Sequence, residues 1–166
     1  MPLDVEAVGL FVDTGADQVI GRAEAVGFGI VQLHGDEPPG FGLELGGSLQ
    51  VVKAFRLGDR AAVDAMIAWL REAEELGCPP HAVLVDAYAP GLAGGTGRRI
   101  ADDLLGALPL LRRLILAGGL DPSNVAERVA RVRPWMVDVA GGVEASPGRK
   151  DAAKVVAFAR AARGAT

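Results

Sequence analysis

The sequence predicts an α/β protein of repeated strand-helix units on parallel strands, and three observations carry that prediction. Six short apolar runs rich in Val, Ile and Leu punctuate the 166 residues: VGLFV from Val8, IVQLH from Ile30, VVKAF from Val51, AVLVD from Ala82, LRRLILA from Leu111 and WMVDVA from Trp135. Their starts differ by 22, 21, 31, 29 and 24 residues, which leaves room for a strand, a loop and a helix in each repeat. No hairpin turn joins neighbouring runs, so parallel strands linked by right-handed helical crossovers fit the pattern. A chain of this length, half hydrophobic, buries one sizeable core, and residues 1–166 are expected to form a single domain.

The helices between the runs have readable ends. PPGFGLELGG, between the second and third runs, is too glycine-rich to predict a helix. After the third run, Gly58-Asp59 opens AAVDAMIAWLREAEEL, with Val63, Ile67 and Leu70 on one face and Gly77 as the C-cap. After the fifth, Asp121 reads as an N-cap with Pro122 at the first helical position, opening a helix through Val132. Pro147-Gly148 precedes a last helix, DAAKVVAFARAA, expected to turn Val155, Val156 and Phe158 toward the core.

Composition narrows the function. The net charge is -4 and the basic residues are scattered, so no footprint for nucleic acid or an anionic membrane is present, and a small-molecule partner is expected. The start MPLDVEAVGLFVD carries acidic residues where a signal peptide needs positive charge, and no apolar run reaches about 18 residues, so a cytoplasmic location is expected. A single cysteine, Cys78, excludes a disulfide framework and a cysteine zinc cluster, and two histidines leave little for any metal.

If the strands close into a TIM-type barrel, alternate residues point inward and chemistry gathers at the C-terminal strand ends. Ala82, Leu84 and Asp86 then share a face, as do Met136, Asp138 and Ala140, and Ile30, Gln32 and His34. Two carboxylates near one pocket can be driven to different pKa values, as acid and base roles require. Asp86 reads equally as such an acid or as a cap of the loop after it, and Asp138 reads first as a cap. Two glycine turns, Ala117-Gly118-Gly119 and Ala140-Gly141-Gly142, follow the last two strands, where barrels that take phosphorylated ligands often seat the phosphate on backbone N-H groups. On that reading the six repeats correspond to units 3 to 8 of an incomplete barrel. Gly91 to Gly97 follow Asp86 and read either as a mobile lid or as a plain connection.

VGLFVD from Val8, VQLHGDE from Val31, VLVDA from Val83, GGTG from Gly94, LAGGLDPSNV from Leu116 and VDVAGGVEASPGRKD from Val137 resemble, in order, successive motifs of phosphoribosylanthranilate isomerase. That family belongs to tryptophan biosynthesis. It converts N-(5-phosphoribosyl)anthranilate into its 1-deoxyribulose form by an Amadori rearrangement without a cofactor. The resemblance implies that Asp86 is the general acid that protonates the furanose ring oxygen, with Leu84 and Tyr88 limiting its hydration. It implies that Asp138 lies near the anthranilate amine, that His34 binds substrate at the pocket rim, and that Gly118, Gly119, Gly141 and Gly142 hold the phosphate.

The departures from the family pattern shape further expectations. The Lys-Ile-Cys-Gly motif, whose cysteine takes the C2 proton, is absent, as is the substrate-holding arginine of the second unit. Cys78 and His81 precede the strand bearing Asp86, at the opposite end from the chemistry, and are expected to be structural. Ala140 and Gly141 replace the usual serines before Gly142, and RRIADDL after GGTG lacks the Phe-Asp-Trp of relatives. The chain is therefore expected to be an N-terminally truncated barrel, through an incomplete gene model or a real loss of catalysis, and not to turn over substrate by itself. Exposed sheet edges and apolar faces, poor solubility and a homo-oligomer are expected with it. The alternatives are an inactive phosphate-ester-binding fragment or a related phosphosugar isomerase such as the histidine-pathway enzyme.

Overall fold

The computed structural model describes residues 5–87 and 100–165. Strands and helices alternate: β1 (Val8–Phe11), α1 (Ala16–Val26), β2 (Ile30–Leu33), α2 (Phe41–Glu44), β3 (Gln50–Leu57), α3 (Arg60–Glu75), β4 (Ala82–Ala87) and α4 (Asp102–Gly106). They continue with β5 (Leu114–Leu116), α5 (Val125–Val132), β6 (Met136–Val137), a 3-10 turn (Gly141–Val143), β7 (Glu144–Ser146), β8 (Arg149–Lys150) and α6 (Ala152–Arg163). β1 to β6 form one sheet in chain order, with parallel registers that set Val8 opposite Ile30, Ile30 opposite Gln50 and Ile115 opposite Met136. Every apolar run identified in the sequence supplies one of these strands.

The chain divides into two compact units, Met1–Phe55 with Asp64–Val83, and Arg56–Val63 with Leu84–Thr166. In the first, Val31 and Leu33 of β2 pack with Val19 of α1 and with Phe41 and Leu45 around α2, a buried apolar cluster. The alternate residues Ile30, Gln32 and His34 are half-buried on the other face. Val8 and Leu10 of β1 are 49% and 60% exposed. A parallel sheet is stable when both faces are covered, so this strand carries an apolar face in contact with solvent.

An ion pair organises the C-terminal strand ends of the first unit. Lys53 of β3 and Glu37 are both buried, with Nζ 3.0 Å from Oε2, and Nζ also donates to the carbonyls of Gly35 at 2.7 Å and Ala54 at 3.0 Å. Glu37 Oε1 accepts from the backbone N-H groups of Asp13 at 3.0 Å and Gly35 at 3.1 Å. One carboxylate and one ammonium therefore tie together the segments that follow β1 and β2, and each charge is fully bonded, as burial requires.

In the second unit β5 is buried throughout, and α5 buries Val125 and Val129. β4 is buried on both faces from Ala82 to Val85, so it reads in sequence as an unbroken apolar run rather than an alternating one.

Four local expectations are corrected. The helix after the fifth strand begins at Val125, not directly after Asp121: residues 122–124 form a turn first, and Asp121 Oδ1 accepts from the Ser123 N-H at 2.7 Å within it. The helix does end at Val132. On α3 the fully buried positions are Val63, Met66 and Ala73, with Ile67 and Leu70 only half-buried, a stripe displaced by about one residue. On α6 Phe158 is buried, but Val155 and Val156 are 42% and 49% exposed. The glycine-rich segment does hold one helical turn, α2, because burial of Phe41 and Leu45 outweighs poor propensity. The α3 ends agree with the sequence reading: Asp59 Oδ1 accepts from Ala62 N-H at 2.9 Å, and Gly77 N-H bonds back to Glu74 O at 3.0 Å. No helix among the described residues is long and apolar enough to cross a membrane.

Candidate active site

Asp86 is the penultimate residue of β4, at its C-terminal end, and is half-buried beyond the buried Leu84 and Val85. Its Oδ1 accepts from the N-H of Ala87 at 2.8 Å, so the capping role offered for this aspartate is present in the geometry beside its position. The backbone then fixes what lies next to it. Ala117 N-H donates to Val85 O at 2.9 Å, which carries the ladder between β4 and β5 just past the end of β5 and brings the Gly118-Gly119 turn against Asp86. Gly118 has φ +82, and a Cβ there would lie 2.8 Å from both Ala87 Cβ and Asp86 Oδ1. Only glycine satisfies both the conformation and the approach.

Asp138 follows β6, and its N-H donates to Leu116 O at 2.9 Å. In sheet order the Gly118-Gly119 turn therefore stands between the two aspartates, all at C-terminal strand ends of the second unit. Asp138 is exposed. Gly141 and Gly142 begin the 3-10 turn after it, and Gly142 is pressed against the preceding loop: an added Cβ would overlap the carbonyl oxygen of Leu120 and lie 2.9 Å from its carbon. The second glycine turn thus touches Leu120, the residue that follows the first.

Asn124 holds the first of them. It is 4% exposed, donates from Nδ2 to Gly119 O at 3.0 Å and accepts from Asp121 N-H at 3.1 Å. Sequence reasoning missed it: it sits in LAGGLDPSNV directly before α5, where an asparagine reads as a helix cap. Around the second turn, Lys150 Nζ donates to Ala140 O at 2.7 Å and to Glu144 Oε1 at 2.9 Å, while Gly148 N-H donates to Glu144 Oε2 at 3.2 Å. The Lys150 ammonium first, and then the Gly148 N-H, hold the Glu144 carboxyl below its ordinary pKa.

His34 lies in the first unit, just past β2, with its backbone N-H on Phe11 O at 2.8 Å and Nδ1 3.0 Å from Gln32 Nε2. Cys78 and His81 both precede β4. Cys78 Sγ donates to Pro39 O at 3.3 Å and His81 N-H to Val51 O at 2.8 Å, which are packing and ladder contacts. Tyr88 and the glycine segment from Gly91 to Gly97 lie outside the described residues.

A parallel β/α sheet with its acids and glycine turns gathered at the C-terminal strand ends is the arrangement of TIM-barrel-type enzymes. The sequence pattern of N-(5'-phosphoribosyl)anthranilate (PRA) isomerase matches residues 2–161. The N-(5'-phosphoribosyl)anthranilate isomerase of Geobacter sulfurreducens is 44% identical over 164 residues, which are 99% of this chain and 75% of that one. A structure of monomers generated from the dimeric phosphoribosylanthranilate isomerase of Thermotoga maritima superposes with TM-score 0.78 at 29% identity, over 98% of this chain and 74% of that one. A phosphoribosyl anthranilate isomerase in complex with reduced 1-(o-carboxyphenylamino)-1-deoxyribulose 5-phosphate superposes with TM-score 0.77 at 28% identity, over 99% and 74%. The chain belongs to the phosphoribosylanthranilate isomerase family.

Proposed function

We propose that this chain serves the Amadori rearrangement of N-(5-phosphoribosyl)anthranilate, with Asp86 as general acid and the Gly118-Gly119 and Gly141-Gly142 turns as the seat of the 5-phosphate. The observation that carries the reading is the Gly118 turn lying directly against Asp86 while the Gly142 turn lies against Leu120 of the same loop. Acid and anion seat are then built on rigid backbone at one set of strand ends, the condition for holding an ester by one end while a proton is delivered to the other. Family membership and the phosphate-ester complex of a related isomerase support the same assignment.

In mechanism, the Asp86 carboxyl gives its proton to the furanose ring oxygen as the ring C-O bond breaks and the anthranilate nitrogen forms an imine. Removal of the C2 proton gives an enolamine, which becomes the ketose. Asp138, past β6, is the group proposed to face the anthranilate amine, and His34, by resemblance of its motif, is proposed to bind substrate. The cysteine to which the family pattern gives the C2 proton has no counterpart motif in these 166 residues. The residues of this chain are accordingly proposed to supply the acid and the grip on substrate, in a β/α barrel whose units they match as numbers 3 to 8.

The test pairs binding with turnover. Asp86→Asn is expected to bind the reduced deoxyribulose phosphate within about threefold of wild type, because an amide of equal size leaves the anchor intact. In any form of the protein that turns over substrate it is expected to lower kcat by at least about a hundredfold, the usual share of a general acid. Retained turnover removes Asp86 from the acid role. The 166 residues alone are expected not to rescue a tryptophan auxotroph, and rescue would show that another group takes the C2 proton.

A further inference from the structure

We propose that Lys150, held by Glu144, is a positioning residue that aims the backbone N-H of Gly141 at the ligand's phosphate; this rests on the phosphate seat proposed above. Lys150 Nζ bonds Ala140 O at 2.7 Å. No cis peptide occurs among the described residues, and in a planar trans peptide the C=O and N-H of one unit point in opposite directions. Fixing the carbonyl of Ala140 on the ammonium therefore fixes the N-H of Gly141 on the far side, away from Lys150. Ala140 has φ -113 and ψ -83, outside the helical and extended regions, so local propensity does not hold this peptide plane and an outside contact is needed.

The rest of the segment is arranged to keep the ammonium in place. β7 and β8 form an antiparallel hairpin whose register sets Glu144 opposite Lys150, and the Glu144 carboxylate takes Nζ at 2.9 Å. Lys154 Nζ donates to Glu144 O at 2.7 Å, and Asp151 N-H donates to Val143 O at 2.8 Å. The hairpin so returns to the turn that it follows. The Lys150 side chain is 49% exposed, and an exposed ion pair contributes little to stability. What the pair does set is a direction, that of one peptide plane.

Two further properties follow from this geometry. A guanidinium at position 150 can reach the same carbonyl, whereas an apolar chain of equal length cannot. The contact also serves the anionic end of the ligand alone, so a ligand without phosphate is indifferent to it.

The experiment measures dissociation constants by calorimetry for reduced 1-(o-carboxyphenylamino)-1-deoxyribulose 5-phosphate and for its dephosphorylated counterpart, with melting temperatures alongside. Lys150→Met is expected to weaken the phosphorylated ligand on the order of tenfold, the worth of one charge-assisted hydrogen bond. The dephosphorylated ligand and the melting temperature are expected to stay near wild type. Lys150→Arg is expected to restore most of the loss, and Glu144→Gln, which frees the ammonium without removing it, to fall between. If both ligands weaken equally, or if Lys150→Met keeps the full preference for the phosphorylated one, the positioning role is overturned. If Lys150→Met fails to fold, Glu144→Gln and Lys150→Arg decide by the same preference. A wild-type protein that does not distinguish the two ligands would overturn the phosphate seat itself, and this inference with it.

Discussion

At the scale of single residues, Gly142 is where the site leaves least room. A methyl group there meets the Leu120 carbonyl, a backbone atom that no rotamer change can move. Gly142→Ala is expected to cost about 1–3 kcal/mol of stability and at least tenfold in affinity for the phosphorylated ligand. Calorimetry that finds that affinity unchanged would show that the two glycine turns do not act together. Glu144 gives a pH test. Its folded-state pKa is depressed by the Lys150 ammonium and then by the Gly148 N-H, so its contribution is present above the ordinary glutamate value and is lost as pH falls through the lower folded value. Carboxyl carbon shifts followed by NMR should show Glu144 titrating below an ordinary glutamate, with the Gly148 amide moving in step. A midpoint at or above the ordinary value would remove the hairpin contact. The position of these glycines and of Asp86 at strand ends was legible in the sequence because glycine pairs after apolar runs and an aspartate closing one are local patterns. Asn124 and Lys150 were not, because each works through a backbone carbonyl that only the fold brings to it, and neither was Glu144, whose carboxylate takes the Lys150 ammonium and the Gly148 N-H.

At the scale of elements, the six strands were legible because parallel strands covered on both faces need continuous apolar runs. Helix ends were legible where a side chain caps them, as Asp59 does for α3 and Asp151, bonded to the Ala153 and Lys154 N-H groups, does for α6. The β7-β8 hairpin escaped notice because strands of three and two residues carry no periodicity. The direction of α6 was misread at Val155 and Val156, since an apolar pair says that a face exists and not what covers it. The Lys53–Glu37 pair escaped too, because charged residues in an apolar setting look like surface until their bonds are seen. Lys53→Met would leave the buried Glu37 carboxylate with the backbone N-H groups of Asp13 and Gly35 but without its ammonium and is expected to lower stability by roughly 3 kcal/mol, as for other broken buried pairs. Urea unfolding measures it, and a loss below about 1 kcal/mol would mean that the pair behaves as a surface one.

At the scale of the molecule, the sheet ends in β1 on one side and β6 on the other, and apolar side chains stand exposed at both: Leu10 at 60% on one, Met136 at 48% on the other. Exposed apolar side chains on edge strands favour association. Light scattering is expected to show a mass that rises with concentration, and Leu10→Lys, which places a charge on the β1 edge, is expected to reduce it. A concentration-independent monomer would remove that reading. The membership of the fold in its family was legible from ordered motifs along nearly the whole chain, whereas closure into a barrel is a property of how strands meet, which no stretch of sequence states.

β4 has one more consequence. Buried above and below along Ala82 to Val85, it gives solvent no way to reach its amides short of parting the sheet, so its protons should be among the slowest in the protein to exchange for deuterium. Asp86 rides on the end of that strand. Displacement of its carboxylate during a catalytic cycle is then expected to come chiefly from rotation about its own side-chain bonds, because the strand that bears it opens only rarely.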